Sequence, residues 1–326
     1  MRRTWLQQKL LICWPGQNKF AHKRSVNGIQ VNKLKSVYVM AYFTMAPLMV
    51  THALVALSQL SSTNTPMDWG WIGVIIAVTP IALYISALYL FTIPRTSHHL
   101  PQLQIPAALG LLIALYAFVR VDGSGIPLLY TGFICLFANP LYIYWYSTLK
   151  RNIAITDLNP GNVLPEFTIE DENGKPFNTA NLMGKPALLM FYRGNWCPLC
   201  MSQVREVARN YQALKKRGVE ILMISPQANK NTQVLARRFD VPMRFMRDPD
   251  NRVAKQLSIL HKNSLPAGMQ LLGYDSDAPY PTIILCDESL RILAAELTMN
   301  YRIRPEPRVF LELIDQHLAN RQTRTS

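Results

Sequence analysis

Two cysteines three residues apart, Cys197 and Cys200, close the segment FYRGNWCPLC that begins at Phe191. Sulfurs at this spacing can join in a disulfide, and a thiolate on one can attack an electrophile and be resolved by the other. An apolar run from Ala187 to Tyr192 precedes the pair and reads as a buried strand. Beyond the pair, Val204, Val207, Tyr211 and Leu214 recur at helical spacing. That spacing predicts a helix reaching Arg217, with Cys200 in its first turn and Cys197 just before it. Unpaired N–H groups and the positive dipole end of such a helix favour S⁻ over SH, lowering a thiol's pKa from about 8.5. The pair is read as a redox site.

Metal binding is the competing use of two cysteines at this spacing, and zinc asks for four ligands. The other cysteines, Cys13, Cys135 and Cys286, are not paired at ligand spacing. Cys286 falls in an apolar strand and reads as a small buried hydrophobe. No metal and no other cofactor is expected.

The elements around the site divide into two parts. Only Asp68 and Asp122 are acidic before position 150, and the other 18 acidic residues follow it. Four long apolar stretches lie in the first half: Val37–Leu60, Trp69–Ile93, Ile105–Val119 and Gly125–Ser147. About 20 apolar residues cross the roughly 30 Å of bilayer hydrocarbon. Three stretches meet that length, and the third must borrow flanking residues up to Val121. Trp69 and Trp71 at one edge, with Tyr142, Tyr144, Trp145 and Tyr146 at another, suit membrane interfaces.

This predicts an all-α membrane domain of four helices over residues 36–148, after a basic segment at 1–35 and before a linker at 149–162. The first 35 residues hold eight Lys or Arg and no acid. Basic residues stay cytoplasmic, and an even number of spans returns the chain to that side. The expected location is the inner (plasma) membrane, multi-pass, with the redox domain cytoplasmic. The formal charge of +14 is assigned to membrane flanks and lipid contact, so nucleic acid is not an expected partner. His52, within the first span, reads as a hydrogen-bonding residue between helices, and His98 and His99 as solvated. Pro47, Pro80 and Pro140 are expected to kink their spans.

Residues 163–320 alternate short strands with helices. Strands are expected at Phe167–Ile169, around Phe177, and at Ala187–Tyr192, Val219–Ser225, Arg244–Met246, Pro281–Cys286 and Ile292–Glu296. Helices are expected at Thr232–Phe239, Asn251–Leu257 and Arg308–Leu318. The alternation implies an α/β domain with a central mixed sheet and helices on both faces. The long segment from His261 to Ala278 either walls one side of the cysteine pocket or is a surface insertion.

This half resembles the alkyl hydroperoxide reductase/thiol-specific antioxidant group, peroxiredoxin-like redoxins with the thioredoxin-like fold. The resemblance rests on Leu164-Pro165-Glu166-Phe167, on Gly184-Lys185-Pro186, and on the segment from Tyr192 to Cys200. It also rests on Asp248-Pro249-Asp250 with Val253-Ala254-Lys255, and on Tyr280-Pro281-Thr282. It implies catalytic Cys197 and Cys200, supported by Arg193, Trp196 and an arginine from Arg302 or Arg304. It also implies a cis-proline at Pro281 facing the cysteines. The chain departs from the family's Pro-x-x-x-Thr-x-x-Cys pattern, with Arg193 in place of the proline and Cys197 in place of the threonine. By that alignment Cys200 attacks; by the thioredoxin alignment the more exposed Cys197 attacks and Cys200 resolves.

Three functions follow. A membrane-anchored thiol peroxidase would carry its thiolate through sulfenate to disulfide, with a cellular dithiol such as a thioredoxin-type protein as reductant. A protein disulfide oxidoreductase would exchange the same pair with a disulfide substrate. A non-enzymatic membrane redox sensor would use oxidation to change packing. The resemblance leaves room for a homo-oligomer.

Overall fold

The computed structural model describes residues 21–62, 68–120, 123–149, 156–239, 241 and 243–325. They fall into two compact units, one over Leu34–Leu149 and one that includes Lys150–Ser326. Cys13 and most of the basic segment lie outside the described residues.

The first unit is helical. Helices α1 (Ala21–Ser62), α2 (Trp69–Leu90) and α3 (Pro101–Arg120) are followed by α4 (Gly125–Phe133). The last continues as two π-helical stretches, Ile134–Ala138 and Leu141–Tyr146, on either side of Pro140. Four helical segments, Gln30–Ser61, Trp69–Leu90, Pro101–Arg120 and Gly125–Tyr146, are long and apolar enough to cross a membrane. The third gains most of its length at its N-terminal side, from Pro101, and runs to Arg120; Val121 lies outside the described residues. Proline is favourable in a first helical turn, where its missing N–H has no partner to lose.

Small residues let α2 and α3 meet backbone to backbone. A methyl group on Gly73 or Gly110 would run into the carbonyl oxygen of the other, which is how helices associate closely where solvent supplies no hydrophobic drive. Several polar side chains inside the unit find partners, although the buried Thr79 and Tyr84 hydroxyls have none among the described residues. The Tyr42 hydroxyl donates to Asn139 Oδ1, and Asn139 Nδ2 donates to the Leu103 carbonyl at 3.1 Å. His52 lies 3.0 Å from the Tyr130 hydroxyl, a bond between helices. His99 is likewise 3.2 Å from the Tyr144 hydroxyl, so it is not purely a solvated loop residue.

The second unit is built on a seven-stranded mixed sheet in the order β2-β1-β5-β4-β3-β8-β9. The strands are β1 Thr168–Glu170, β2 Pro176–Asn178, β3 Ala187–Phe191, β4 Glu220–Ser225 and β5 Arg244–Arg247, then β8 Thr282–Cys286 and β9 Ile292–Leu297. A separate pair, β6 (Leu260–His261) and β7 (Ala278–Pro279), closes the base of the long loop; the sequence pattern did not reveal it. Strand β3 is the hinge of the topology, parallel to β4 and antiparallel to β8. All five β3 residues are buried, as expected of a strand covered on both faces.

Helices α5 (Pro198–Arg209), α6 (Tyr211–Lys215), α7 (Asn229–Arg238), α8 (Arg252–Gln256) and α9 (Pro307–Thr325) complete the unit. The predicted single helix to Arg217 is two, because Asn210 interrupts it. The Asn210 backbone leaves helical values (φ −93°, ψ 3°), and its side-chain amide shares the Glu206 carbonyl, at 2.9 Å, with its own N–H. Asp248 starts α8 by accepting the N–H groups of Val253 and Ala254, both at 2.9 Å.

The fold also begins before residue 163. Leu158 packs in the core, and the Gly161 N–H donates to the Ile292 carbonyl at 2.8 Å. The expected linker is correspondingly shorter. Ile284 is fully buried in β8 between β3 and β9. Ile284→Ala should therefore destabilise this unit by about 2–5 kcal/mol, read as a lowered midpoint in denaturant.

Candidate active site

The site is assembled where β3 ends. Phe191 finishes the strand, Tyr192 is still tied to the sheet through its N–H to Ile224 O at 2.9 Å, and the chain then turns through Arg193–Trp196 into α5. The turn depends on Gly194, whose φ is +139°. A Cβ there would lie 2.8 Å from the Trp196 indole nitrogen. Cys197 takes the N-cap position in extended conformation (φ −91°, ψ 108°), and Pro198 opens the helix. Cys200 thus sits in the first turn, among amide N–H groups with no intrahelical acceptor.

Both sulfurs are buried: Cys197 is 3% exposed and Cys200 0%. Burial raises a thiol's pKa, so an ionised sulfur here needs compensation. Burial opposes the Cys200 thiolate, but the Cys197 thiol donates to it, Arg304 and Arg193 place positive charge beside it, and the Arg193 backbone N–H also donates. Together these pull Cys200 down to about 5. Cys197 moves the opposite way. Its hydrogen bond to Cys200, its burial and the neighbouring negative sulfur hold it well above the ordinary thiol value. The two cysteines are a thiolate acceptor and a thiol donor.

Arg304 makes the direct contact. Its Nη2 lies 3.8 Å from Cys200 Sγ, Nη1 donates to Gln203 Oε1 at 3.1 Å, and Nε donates to the Tyr301 carbonyl at 2.8 Å. The guanidinium is held on three sides and is 6% exposed. Of the two arginines singled out in the sequence, Arg304 has its guanidinium against the sulfur. Arg302 is wholly buried, and its backbone N–H donates to Asn300 Oδ1 at 3.1 Å. Arg193 stacks on Trp196, its guanidinium carbon 4.6 Å from the ring centroid, and donates to the Ser264 carbonyl.

Pro281 departs from expectation. No peptide bond among the described residues is cis, so the Tyr280–Pro281 bond is trans. Pro281 lies buried immediately before β8, a position where its lack of an N–H costs the ladder nothing and the default isomer suffices.

The long loop reaches this site. Besides Ser264, it contributes Tyr274, whose hydroxyl donates to Asn195 Oδ1 at 2.7 Å. Gln227 supports the other side, accepting the Asn195 N–H at 2.8 Å and lying 3.3 Å from the Tyr192 hydroxyl. Between them is a polar cavity of about 80 Å³, lined among others by Arg193, Trp196, Gln227, Arg247, Tyr274 and Asp277. Gln203, Gln227 and Ser264 had no signal in the sequence, because glutamine and serine carry no motif and their roles arise only from folding.

Cys286 lies in β8, where burial and the neighbouring Asp287 charge push it up to about 12. Among the described residues, no group of three or more His, Cys, Asp and Glu is placed to hold a metal.

Residues 160–295 match the model of the AhpC/TSA family. The chain is 27% identical over 113 residues to the chloroplastic peroxiredoxin Q of Sedum lineare, covering 35% of this chain and 61% of that protein. It is 29% identical over 164 residues to the chloroplastic peroxiredoxin Q of Arabidopsis thaliana, covering 46% and 73%. A solved peroxidoxin BcpB from Mycobacterium tuberculosis superposes over 49% of this chain and 97% of its own, with 17% identity and a TM-score of 0.41. The chain spans between about half and two thirds of the length of the first curated relatives it matches.

Three outcomes test the site. Labelling of Cys200 by a thiol alkylator should follow a titration centred near pH 5, whereas Cys197 reacts only in alkali. Arg304→Met should move the Cys200 midpoint upward, as read by thiolate absorbance. Gly194→Ala should destabilise the domain by about 1–3 kcal/mol and shift Trp196 fluorescence, since an L residue is strained at this φ and its methyl displaces the indole.

Proposed function

We propose that this chain, whose C-terminal half carries an AhpC/TSA family domain, is a membrane-anchored thiol peroxidase with Cys200 as the attacking sulfur and Cys197 as the resolving one. The observation that carries the assignment is the asymmetry of the pair: Cys200 is lowered to about 5 beside Arg304, while Cys197 is raised as its hydrogen-bond donor. At neutral pH the thiolate is therefore at Cys200.

In the reaction, the Cys200 thiolate attacks the terminal oxygen of a hydroperoxide and the O–O bond breaks. The leaving alkoxide takes a proton to become an alcohol or water, and Cys200 becomes sulfenic acid. Developing charge on the leaving oxygen is met by the fixed guanidinium of Arg304, which needs no rearrangement to act. The Cys197 sulfur then attacks Cys200, an S–S bond forms, and water leaves. A cellular dithiol of thioredoxin type reduces the disulfide by exchange. The polar cavity at Arg193, Trp196 and Tyr274 lies beside the turn that carries the cysteines.

The thioredoxin alternative puts the nucleophile on Cys197 and asks that it be the exposed, acidic thiol. Both sulfurs are buried, but Cys197 is the raised thiol and Cys200 the lowered one, which favours the peroxidase assignment. The four apolar helices support anchoring in a bilayer, and the excess of basic residues before the first span supports a cytoplasmic redox domain in the inner membrane.

Peroxide consumption by the full chain with a dithiol reductant separates these readings. Cys200→Ser should abolish turnover. Cys197→Ser should stop after one equivalent, with a dimedone adduct on Cys200. Arg304→Gln should lower kcat/KM by about tenfold to a hundredfold. Mixed disulfides trapped on Cys197, with no peroxide consumed by the wild type, would reverse the assignment. An impermeant thiol reagent should label the pair only after lysis; labelling of intact cells would place the domain on the other side.

A further inference from the structure

The most exposed large apolar side chains of the redox domain sit together at the tip of the loop that walls the cavity. Leu271 is 93% exposed and Leu272 71%. They belong to a 3-10 turn, Met269–Leu272, bracketed by Gly268 and Gly273 in left-handed conformation. A small protruding apolar knuckle on a soluble domain calls for an explanation.

The turn is built to hold these two leucines outward. The Met269 N–H donates to Pro266 O at 3.3 Å, Leu271 N–H to Gly268 O at 3.1 Å, and Gly273 N–H to Gln270 O at 2.9 Å. The Gln270 side chain adds two ties, accepting from the Gly268 N–H at 3.0 Å and lying 3.3 Å from Ser276 Oγ. Backbone N–H groups satisfied within the turn can leave water without losing hydrogen bonds, which a lipid environment requires. From Lys262 to Tyr274 the loop has no carboxylate; the exposed Asp275 follows Leu272 by three residues, so the turn itself brings no negative charge to anionic headgroups.

We propose that this turn is a lipid-docking knuckle, with Leu271 and Leu272 entering the interfacial layer of a bilayer. The inference rests on the anchored reading given above. Eight residues, nine Cα steps, separate Leu149, at the end of the fourth apolar helix, from Leu158 in the core of the redox domain. At full extension they span about 30 Å, so a bilayer holding the helices keeps its surface at high effective concentration around the domain. A protein partner would fit the feature poorly. Stable protein interfaces bury about 800 Å² per partner, and two leucines on a point are not a face, whereas fluid lipid closes around a point. Because the same loop donates from Tyr274 to Asn195 and accepts from Arg193 at Ser264, docking would set the cavity mouth beside the lipid surface.

The test places the photo-cross-linker benzoylphenylalanine at Leu272 in the full chain. The chain is reconstituted in nanodiscs of phosphatidylcholine and phosphatidylglycerol, and a control carries the same group at Val234, which is 55% exposed on α7. Irradiation should add a phospholipid to the tryptic peptide of residues 263–291 and leave the Val234 peptide unmodified. Cross-links from position 272 to a second copy or to added reductant protein, no cross-link, or equal lipid labelling at Val234 would each overturn the proposal. Failure of the chain to co-fractionate with discs would sink the anchored reading and this inference with it. The cross-link needs neither sulfur, so absence of peroxide consumption would count against the peroxidase reading alone.

Discussion

The domain depends on one electrostatic requirement: a sulfur with no exposed surface must carry charge. Left to burial alone, Cys200 would stay protonated and inert. A guanidinium at 3.8 Å, a thiol donor and a backbone N–H reverse that preference. Each comes from a different part of the chain, so the fold is what brings them together. Strand β3 delivers the Arg193 amide, the α5 cap delivers Cys197, and the segment after β9 delivers Arg304.

That last segment is itself tightly held. Thr298 Oγ1 donates within it, lying 2.7 Å from Asn300 O and 2.9 Å from Ile303 O. Arg304 Nε bonds back to Tyr301. A long, flexible cation would lose much of its effect if it could swing into solvent. Here its rotamer is fixed before any substrate arrives, the condition under which a charge assists a transition state most. Gln203, on α5, fixes one end of the same guanidinium, so helix and loop share a partner.

Much of this was legible in the sequence where the signal was local. The apolar run before the cysteines, the helical spacing after them and the strand alternation gave β3, α5 and the mixed sheet nearly residue for residue. What could not be read was what depends on contacts across the fold. Arg302 lies in the turn at Tyr301–Arg302 and Arg304 just after it, and only tertiary packing places the Arg304 side chain against the sulfur. The break at Asn210 is a local departure of the backbone from helical conformation, which the apolar periodicity on either side does not register. The family-based expectation at Pro281 failed for a related reason: a proline at the start of a strand satisfies the ladder in its trans form. In the helical unit, hydropathy located the four spans, while the approach of Gly73 to Gly110 arises only from how the helices pack.

Cys286 adds a different consequence. It stands in the middle of the sheet with no exposed surface, and its thiol is pushed far above neutrality. Reagents cannot reach it unless β8 separates from its neighbours. Within residues 156–325 the protein thus carries two thiols that report chemistry and a third that acts as a clock for global opening. The rate at which Cys286 becomes modified measures how often the sheet comes apart, on a scale independent of what the other two sulfurs are doing.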